Sequence, residues 1–311
     1  MILLWVRIIF ITLEGRLEAM NNGYCGKYLR VNLSLGEIKE EHFSEKVLRN
    51  YIGGSGLGAK IICEETDENT DPLGPDNVLT FFTGPLVGTA APNFGRYQAT
   101  AKSPLTDSFG EGNSGGSWGT ILKHAGLDGI IFNGASSKPV YLYIEDGVAE
   151  LKDASELWGL DTFETDTKLK SIHGNKAVSL TIGPAGENLV KIACIINDGT
   201  DARTIGRCGL GAVMGSKKLK AVTVVGTGRP NVANQEKLKA SVLQWAKTIH
   251  SNMEGMNKYG TSGGVEGAEK IGDLPIKNWM EGSFDVSDLT GQVQAEKILT
   301  KKYYCRQCVI G

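Results

Sequence analysis

GNSGGSWGTILKHAGLDGIIFNG, Gly112 to Gly134, has a counterpart later in the chain, GRCGLGAVMGSKKLKAVTVVG, Gly206 to Gly226. Each stretch contains a glycine-rich loop, then a segment with lysine, then a run of β-branched and other apolar residues that a glycine ends. Such runs are typical of buried strands, and glycine marks their boundaries. The two stretches therefore predict two similar units of mixed α and β structure.

The similarity continues towards the N-terminus of each stretch. TGPLVG (83–88) and FGRYQATAKSP (94–104) precede the first, and IGPAGE (182–187) and VKIACIINDG (190–199) precede the second. Each copy has a Gly-Pro opening and a Gly-Arg pair. The openings, at 83 and 182, lie 99 residues apart, whereas the closing glycines, at 134 and 226, lie 92 apart, so insertions separate the copies. A duplicated half favours a duplicated or two-fold ligand; the alternative is chance similarity among glycine-rich turns.

The pattern becomes helical after Pro230. Apolar residues recur at spacings of four, three, four and four: Leu238, Val242, Trp245, Ile249 and Met253. This predicts an amphipathic helix that Asn234 caps. The fold class predicted is α+β: a β-rich domain of two similar α+β halves over residues 20–229, then the truncated start of an α-helical domain over residues 230–311.

The charges of the 311 residues nearly cancel, with 33 Lys and Arg against 35 Asp and Glu. This balance argues against electrostatic binding to nucleic acid or to an anionic membrane. It also makes the lysine run at 217–220 most simply a solvated face. Six scattered cysteines do not form a secreted disulfide framework, and they favour a reduced, cytoplasmic protein.

Two interpretations of the leader, residues 1–19, stay open. Its apolar run MILLWVRIIFITL is broken by Arg7 and is shorter than the ~20 residues that span a bilayer. It has neither the basic n-region nor the cleavage site of a signal peptide. Met20 begins a stretch typical of an N-terminus, so the leader either comes from an upstream start codon or is a real extension.

The glycines indicate a binding site for anions. There are 41 of them, roughly twice the ordinary share of about 7%. A glycine-rich loop lets peptide N–H groups point at an anion, and a nearby arginine adds a clamp for phosphate. Two sets of residues fit this description: Arg96 with the loop 113–116, and the segment 203–207. Two such sets favour a ligand with two phosphates. GGSGLG (53–58) and GLGAVMG (209–215) superficially resemble dinucleotide loops, but neither is a G-x-G-x-x-G motif in the required context.

Cys305 and Cys308 form a C-x-x-C motif, which ligates an iron–sulfur cluster or zinc, or exchanges disulfides. Either metal centre needs further ligands. These come from sequence beyond Gly311 or from the other cysteines, which are otherwise small buried residues: Cys25, Cys63, Cys194 and Cys208. The four histidines are isolated and are interpreted as surface or turn residues: His42, His124, His173 and His250.

Six motifs together resemble the tungsten-dependent aldehyde ferredoxin oxidoreductase family. They are GYCGKYLRVNLSLGEIKEE, YIGGSGLGAKII, DPLGPDNVLTFFTGPLVGTAAPNFGRYQATAKSPLT, GNSGGSWGTILKHAGLDGIIFNGASSKPVYLYI, TIGPAGENLVKIACIINDG and GAVMGSKKLKAV. The resemblance runs from about Asn22 to the C-terminus. It implies a tungsten atom held by the dithiolenes of two pyranopterins, a Mg²⁺ ion that joins their phosphates, and a [4Fe–4S] cluster beside them.

The resemblance also implies roles for particular residues. Cys305 and Cys308 are implied as the first two cluster ligands, and the chain ends one residue before the family's third cysteine. Six positions match cofactor contacts: Arg96, Asn113, Gly115, Arg203, Thr204 and Ile205. Of these, Arg96 is implied to lie between a pterin and the cluster. Asn113 and Gly115 are implied to contact one pterin and its phosphate. Arg203, Thr204 and Ile205 are implied to contact the other pterin and its phosphate. The backbone carbonyls of Asn113 and Thr204 are implied to face the Mg²⁺.

Four positions depart from the family pattern. Ser55, Cys25 and Cys208 stand where arginine, tryptophan and glycine are common, and Asp201-Ala202 looks like an insertion before Arg203. The insertion affects the alignment of the second loop, at 203–207, with the family pattern and leaves that of the first loop unchanged.

The implied function is oxidation of an aldehyde to a carboxylic acid, with electrons passed to ferredoxin. The expected partners are ferredoxin, an aldehyde, and the missing C-terminal half or a partner subunit, with homo-oligomers if the protein is intact. Two alternatives stay open. One is a non-catalytic cofactor-binding or interaction fragment, from a split or truncated gene. The other is a different branch of the family, similar to benzoyl-CoA reductase or to an enzyme acting on glyceraldehyde-3-phosphate.

Overall fold

The computed structural model describes residues 22–308 and residue 310, so the leader interpretation lies outside the described residues. Its strands form two six-stranded sheets. The first sheet contains β1 (Tyr28–Asn32), β2 (Glu37–Glu41), β3 (Leu79–Phe82), β4 (Tyr97–Lys102), β5 (Phe109–Ser114) and β6 (Gly129–Asn133). The second contains β7 (Val140–Glu145), β8 (Val148–Asp153), β9 (Val178–Thr181), β10 (Ile195–Asn197), β11 (Arg203–Ile205) and β12 (Leu219–Val225).

The two sheets have the same topology. Their strand orders are β2-β1-β6-β3-β4-β5 and β8-β7-β12-β9-β10-β11. In each, the first strand pairs in parallel with the last, and every other pair is antiparallel. The prediction of two similar α+β halves is confirmed. The repeat is longer than the quoted stretches, because each half begins with its own hairpin.

Helices occupy equivalent places in the two halves. Between the second and third strands lie Gly54–Glu65 and Thr162–His173; between the fifth and sixth lie Trp118–His124 and Leu210–Ser216. The remaining α-helices are Glu45–Tyr51, Pro184–Glu187, Gln235–Asn252, Glu254–Tyr259, Val265–Lys270 and Gly291–Lys297. Two short 3₁₀ turns, Gly199–Asp201 and Thr261–Gly264, complete the secondary structure of the described residues.

The helix Gly54–Glu65 was not predicted, because glycine occupies three of its first five positions. Glycine disfavours helix interiors by about 1 kcal/mol relative to alanine. Tertiary packing overrides this preference here: a Cβ at Gly58 would overlap the side chain of Thr100 on β4. The glycine therefore lets the helix lie directly on the sheet.

The core is continuous between the halves. One cluster of buried side chains takes residues from both sheets, and the Trp118 indole donates to the carbonyl of Val222 at 3.0 Å. Two lysines of the run at 217–220 belong to this interior, so its interpretation as a solvated face was wrong for them and holds only for the exposed Lys218. Lys217 and Lys220 are both fully buried. Buried lysines need polar partners, and Lys217 donates to the carbonyls of Asn77 at 2.5 Å and Gly134 at 3.0 Å.

The predicted helix after Pro230 is confirmed as Gln235–Asn252, and the Asn234 side chain accepts a hydrogen bond from the Lys237 N–H at 2.8 Å. None of its residues is buried. Its apolar stripe instead lines a cleft of about 470 Å³ against the loop 86–94 of the first half. Among the described residues, no helix is both long enough and apolar enough to cross a membrane.

Candidate cofactor-binding site

The fifth strands of the two halves lie next to each other. A Cβ at Gly112 on β5 would approach Ile205 of β11 to 2.5 Å. Asn113 and Thr204 are equivalent by register, because each is one residue before its strand ends and each pairs with the second residue of the neighbouring strand. The fold thus brings the two predicted loops together at one locus.

The two Gly-Arg pairs, however, are not equivalent. Arg96 immediately precedes β4, whereas Arg207 follows β11. The residue that precedes β10, and so corresponds to Arg96, is Cys194. The two halves therefore supply their arginines from different places.

The buried side chain of Asn197, at the end of β10, links the halves at this locus. Its oxygen accepts hydrogen bonds from the Tyr97 hydroxyl at 3.0 Å and the Ser114 hydroxyl at 2.7 Å. Its amide nitrogen donates to the Gly115 carbonyl at 3.1 Å. Because Asn197 belongs to the second half and its partners to the first, it fixes the first glycine loop relative to β10. No local pattern around Asn197 indicates this role.

The thiol pair lies against the first loop. A Cβ at Gly115 would approach the Cys305 Sγ to 2.5 Å, so only glycine leaves room for the thiol. The Arg306 N–H donates to the Gly116 carbonyl at 3.3 Å, and the Asn93 N–H donates to the Gln307 carbonyl at 2.8 Å. Residues separated by almost 200 positions in sequence are therefore in direct contact.

Two arginines flank the loops. Arg96 donates through Nη1 to the Asn113 side-chain oxygen, and it lines a cleft of about 400 Å³ together with the loop 53–56 and Gln98. Arg203 places its guanidinium 4.5 Å from the centre of the Tyr303 ring. The Arg203 Nε and the Gln98 Oε1 are buried and have no hydrogen-bond partner within the described part of the chain. Such atoms point to a missing partner, such as a ligand or an ordered water.

The other cysteines do not join the thiol pair. Among the described residues, no group of three or more His, Cys, Asp and Glu side chains is close enough to share a metal ion. The Cys25 thiol donates to the Lys123 carbonyl at 3.4 Å, and burial raises its pKa to about 11. A thiol of this kind is a poor metal ligand, because the ligand form is the thiolate.

The interpretation of His124 as a surface or turn residue was wrong. It ends the helix Trp118–His124, is buried, and its Nε2 lies 3.1 Å from the Gly88 carbonyl. Burial lowers its pKa below the usual value, so its ring is neutral near pH 7.

Comparison with known proteins identifies the family. The family model described as "Aldehyde ferredoxin oxidoreductase, N-terminal domain" matches residues 28–226. The chain belongs to the aldehyde ferredoxin oxidoreductase family. The model for "Aldehyde ferredoxin oxidoreductase, domains 2 & 3" matches residues 237–311.

Curated relatives include the tungsten-containing aldehyde ferredoxin oxidoreductases of Thermococcus kodakarensis, 43% identical, and Pyrococcus furiosus, 41% identical. Each alignment covers 93% of this chain and 48% of the relative. The "Aliphatic sulfonate oxidoreductase, WOR-like subunit" of Pyrococcus furiosus is 35% identical over 90% of this chain and 47% of its own length. The chain therefore spans about half the length of the curated relatives it matches.

A solved structure has the same fold. It is the active site complex BamBC of benzoyl coenzyme A reductase with 1,5-dienoyl-CoA, with a TM-score of 0.78 and 32% sequence identity. The match covers 92% of this chain and 46% of that one.

Proposed function

We propose that this chain supplies the cofactor cradle and two cluster thiols of a tungsten oxidoreductase that converts aldehydes to carboxylic acids and passes electrons to ferredoxin. The observation that carries the proposal is the meeting of three segments at one locus: the ends of β5 and β11, and the thiol pair at Cys305 and Cys308. Family membership supports the oxidoreductase class.

The residues at this locus fit a paired pterin cofactor. Glycine at 115 leaves backbone accessible where a Cβ would fill the space, and the unpartnered Arg203 Nε is a donor available to a phosphate. In the proposed complex Arg96, Asn113 and Gly115 contact one pterin, and the run Arg203–Ile205 contacts the other. The carbonyl oxygens of Asn113 and Thr204, at equivalent positions in the two halves, ligate the Mg²⁺; carbonyl oxygen is a ligand type that this ion accepts.

The thiols fit an iron–sulfur cluster, because thiolate is its usual ligand. Cys305 and Cys308 are two of the four ligands that a [4Fe–4S] cluster needs. We propose that the other two come from polypeptide that corresponds to the rest of the relatives' length, either on the same chain or on a partner subunit. The same polypeptide would cover the apolar stripe of Gln235–Asn252, which has no buried residue at present.

The protein's own contribution is positioning and charge. When bound, the tungsten cofactor supplies two-electron oxidation of the aldehyde, with oxygen taken from water. Arg96 and Arg203 offset the negative charge of the phosphates, and the glycine loops allow close approach of peptide N–H groups. The contact between Cys305 and Gly115 supports a cluster directly beside the first loop, where the path for electron transfer would be short.

The test is metal and pterin analysis of the protein purified without oxygen from tungstate-supplied cells, together with its completing polypeptide. We expect tungsten, iron and pterin, and aldehyde-dependent reduction of ferredoxin. Arg203→Gln should lower the tungsten and pterin content several-fold. Lys138→Gln is the matched control, since Lys138 is exposed and pairs only at the surface with Asp153. Purified protein that contains neither tungsten nor pterin would contradict the proposal.

A second candidate function is a reductase of benzoyl-CoA type, which the structural similarity to BamBC favours. Aldehyde oxidation ranks first because the identity to the aldehyde enzymes is higher, 43% against 32%. Assaying the same preparation with aldehydes plus ferredoxin, and with benzoyl-CoA plus an electron donor, separates the two, because only one substrate class should be turned over.

A further inference from the structure

The Asp198 carboxylate receives hydrogen bonds from two distant parts of the chain and from its neighbour Asn197. Its Oδ2 accepts from the Ser117 N–H at 2.6 Å and from the Tyr303 hydroxyl at 3.1 Å, and its Oδ1 accepts from the Asn197 amide at 3.1 Å. Asp198 follows β10 in a left-handed conformation, φ 65°, which Asp adopts more readily than most residues. A Cβ at Gly116 would overlap Oδ2, so glycine at 116 permits the approach.

Tyr303 lies between Asp198 and Arg203. Its hydroxyl donates to the carboxylate, and its ring stacks under the Arg203 guanidinium at 4.5 Å, a favourable cation–π distance. Tyr303 thus contacts both charged groups, the carboxylate through its hydroxyl and the guanidinium through its ring.

The thiol segment is thus attached at both ends. Two residues after Tyr303, Cys305 lies against Gly115; beyond it, Arg306 and Gln307 make backbone hydrogen bonds to the first half. Tyr303 joins the same segment to the second half. Because Asp198 also holds Ser117, just after the first glycine loop, one carboxylate ties the loop and the thiol segment to the same point.

We propose that Tyr303 and Asp198 are positioning residues that hold the Cys305 thiol against Gly115 and so set the distance between the thiol pair and the first glycine loop. Both residues act through protein contacts, Asp198 on Ser117 and Tyr303, and Tyr303 on Arg203 and the thiol segment. The effect expected on a cluster rests on the proposed function, whereas the effect expected on the packing of the Cys305 thiol does not.

The first test uses the metal-free chain and needs no cofactor. Tyr303→Phe removes the hydroxyl and keeps the ring under Arg203; Tyr304→Phe, at the exposed neighbouring tyrosine, is the matched control. The readout is the alkylation rate of Cys305 by iodoacetamide, followed by peptide mass spectrometry. We expect about a five- to tenfold faster rate for Tyr303→Phe, the effect of losing one hydrogen bond, and a similar gain for Asp198→Asn. Tyr304→Phe should match the wild type.

The second test uses protein with its completing polypeptide, reconstituted with iron and sulfide. Greater exposure of a cluster to water favours its more negatively charged reduced form, so Tyr303→Phe should raise the midpoint potential and Tyr304→Phe should not. A merely stabilising contact would lower the melting temperature and leave the potential alone. Unchanged alkylation of Cys305 in Tyr303→Phe overturns the proposal. If the wild type assembles no cluster, the proposed function fails, and the alkylation result still decides the positioning role.

Discussion

The indole N–H of Trp118 donates to the carbonyl of Val222 at 3.0 Å and so joins the helix of the first half to the central strand β12 of the second. Trp118 is fully buried and packs against Tyr97, with ring centres 4.6 Å apart. This contact lies in the core cluster that the two halves share, so it couples the packing of one half to that of the other.

Replacing Trp118 tests this coupling. Trp118→Phe should lower the free energy of unfolding by about 2–4 kcal/mol, since it removes the indole hydrogen bond to Val222 and opens a cavity. Urea unfolding with circular dichroism measures the change. Trp245→Phe, at an exposed indole, should change the free energy by less than about 0.5 kcal/mol. Equal effects of the two substitutions would contradict the assigned coupling.

Lys217 should make stability depend on pH in the alkaline range. Burial lowers its pKa to about 8, below the usual 10.4 of the unfolded chain. Between pH 8 and 10 the unfolded state therefore binds more protons than the folded state, and the contribution of Lys217 to stability rises with pH. Lys217→Met removes this titration, so the wild type should gain on the order of 1–2 kcal/mol relative to the variant between pH 8 and 9.5.

The measurement for Lys217 is urea unfolding of both proteins at several pH values. At pH 7 the variant also lacks the hydrogen bonds to Asn77 and Gly134, so the two curves differ in offset as well as in slope. Parallel curves from pH 8 to 9.5 would show that Lys217 titrates normally.

Two helical glycines should respond in opposite directions to alanine. Gly58→Ala places a methyl group where the Thr100 side chain lies, so we expect a loss of about 1–3 kcal/mol. Gly255, in the helix Glu254–Tyr259, has no atom within 4 Å of a Cβ position. Gly255→Ala should therefore gain about 0.5–1 kcal/mol from helix propensity. Thermal unfolding of the two variants decides the matter, and a stabilised Gly58→Ala would rule out the close helix–sheet contact.

Cys25 should be the slow thiol of the protein. With a pKa of about 11, roughly one thiol in a thousand is ionised at pH 8, against about a quarter for an ordinary thiol of pKa 8.5. We expect iodoacetamide to modify Cys25 about a hundredfold more slowly than the exposed Cys63. In urea the two rates should converge. Fast modification of Cys25 in the folded protein would be inconsistent with its burial.

Much of the architecture could be predicted because it repeats in sequence. The two copies, the helix Gln235–Asn252 and its Asn234 cap are all read from local pattern, and the structure confirms them. Local pattern failed where distant groups override it. The glycines of Gly54–Glu65 disfavour a helix by local propensity, but the close packing against β4 requires them. The charge of Lys217 predicts an exposed side chain, but carbonyl groups of the other half accept its hydrogen bonds in the interior.

The candidate site divides in the same way. Its glycine loops and thiols carry short motifs and were found from sequence, and their roles as ligands stay predictions. The groups that join them, Asn197, Asp198 and Tyr303, contact partners more than 80 positions away. Single residues of this kind belong to no periodic pattern and to no motif, so their contacts can be identified only from the structure.

The two halves share one strand order and their fifth strands, β5 and β11, lie side by side, but Cys305 makes the surroundings of these strands unlike. The thiol contacts Gly115 of the first half, whereas a Cβ at the equivalent glycine of the second half, Gly206, would meet the Thr204 methyl group at 3.3 Å. A ligand with two chemically identical arms would consequently meet two unlike surroundings, one lined by sulfur and one by a methyl group. Symmetry in such a ligand would be lost on binding, and its arms would become distinguishable by spectroscopy.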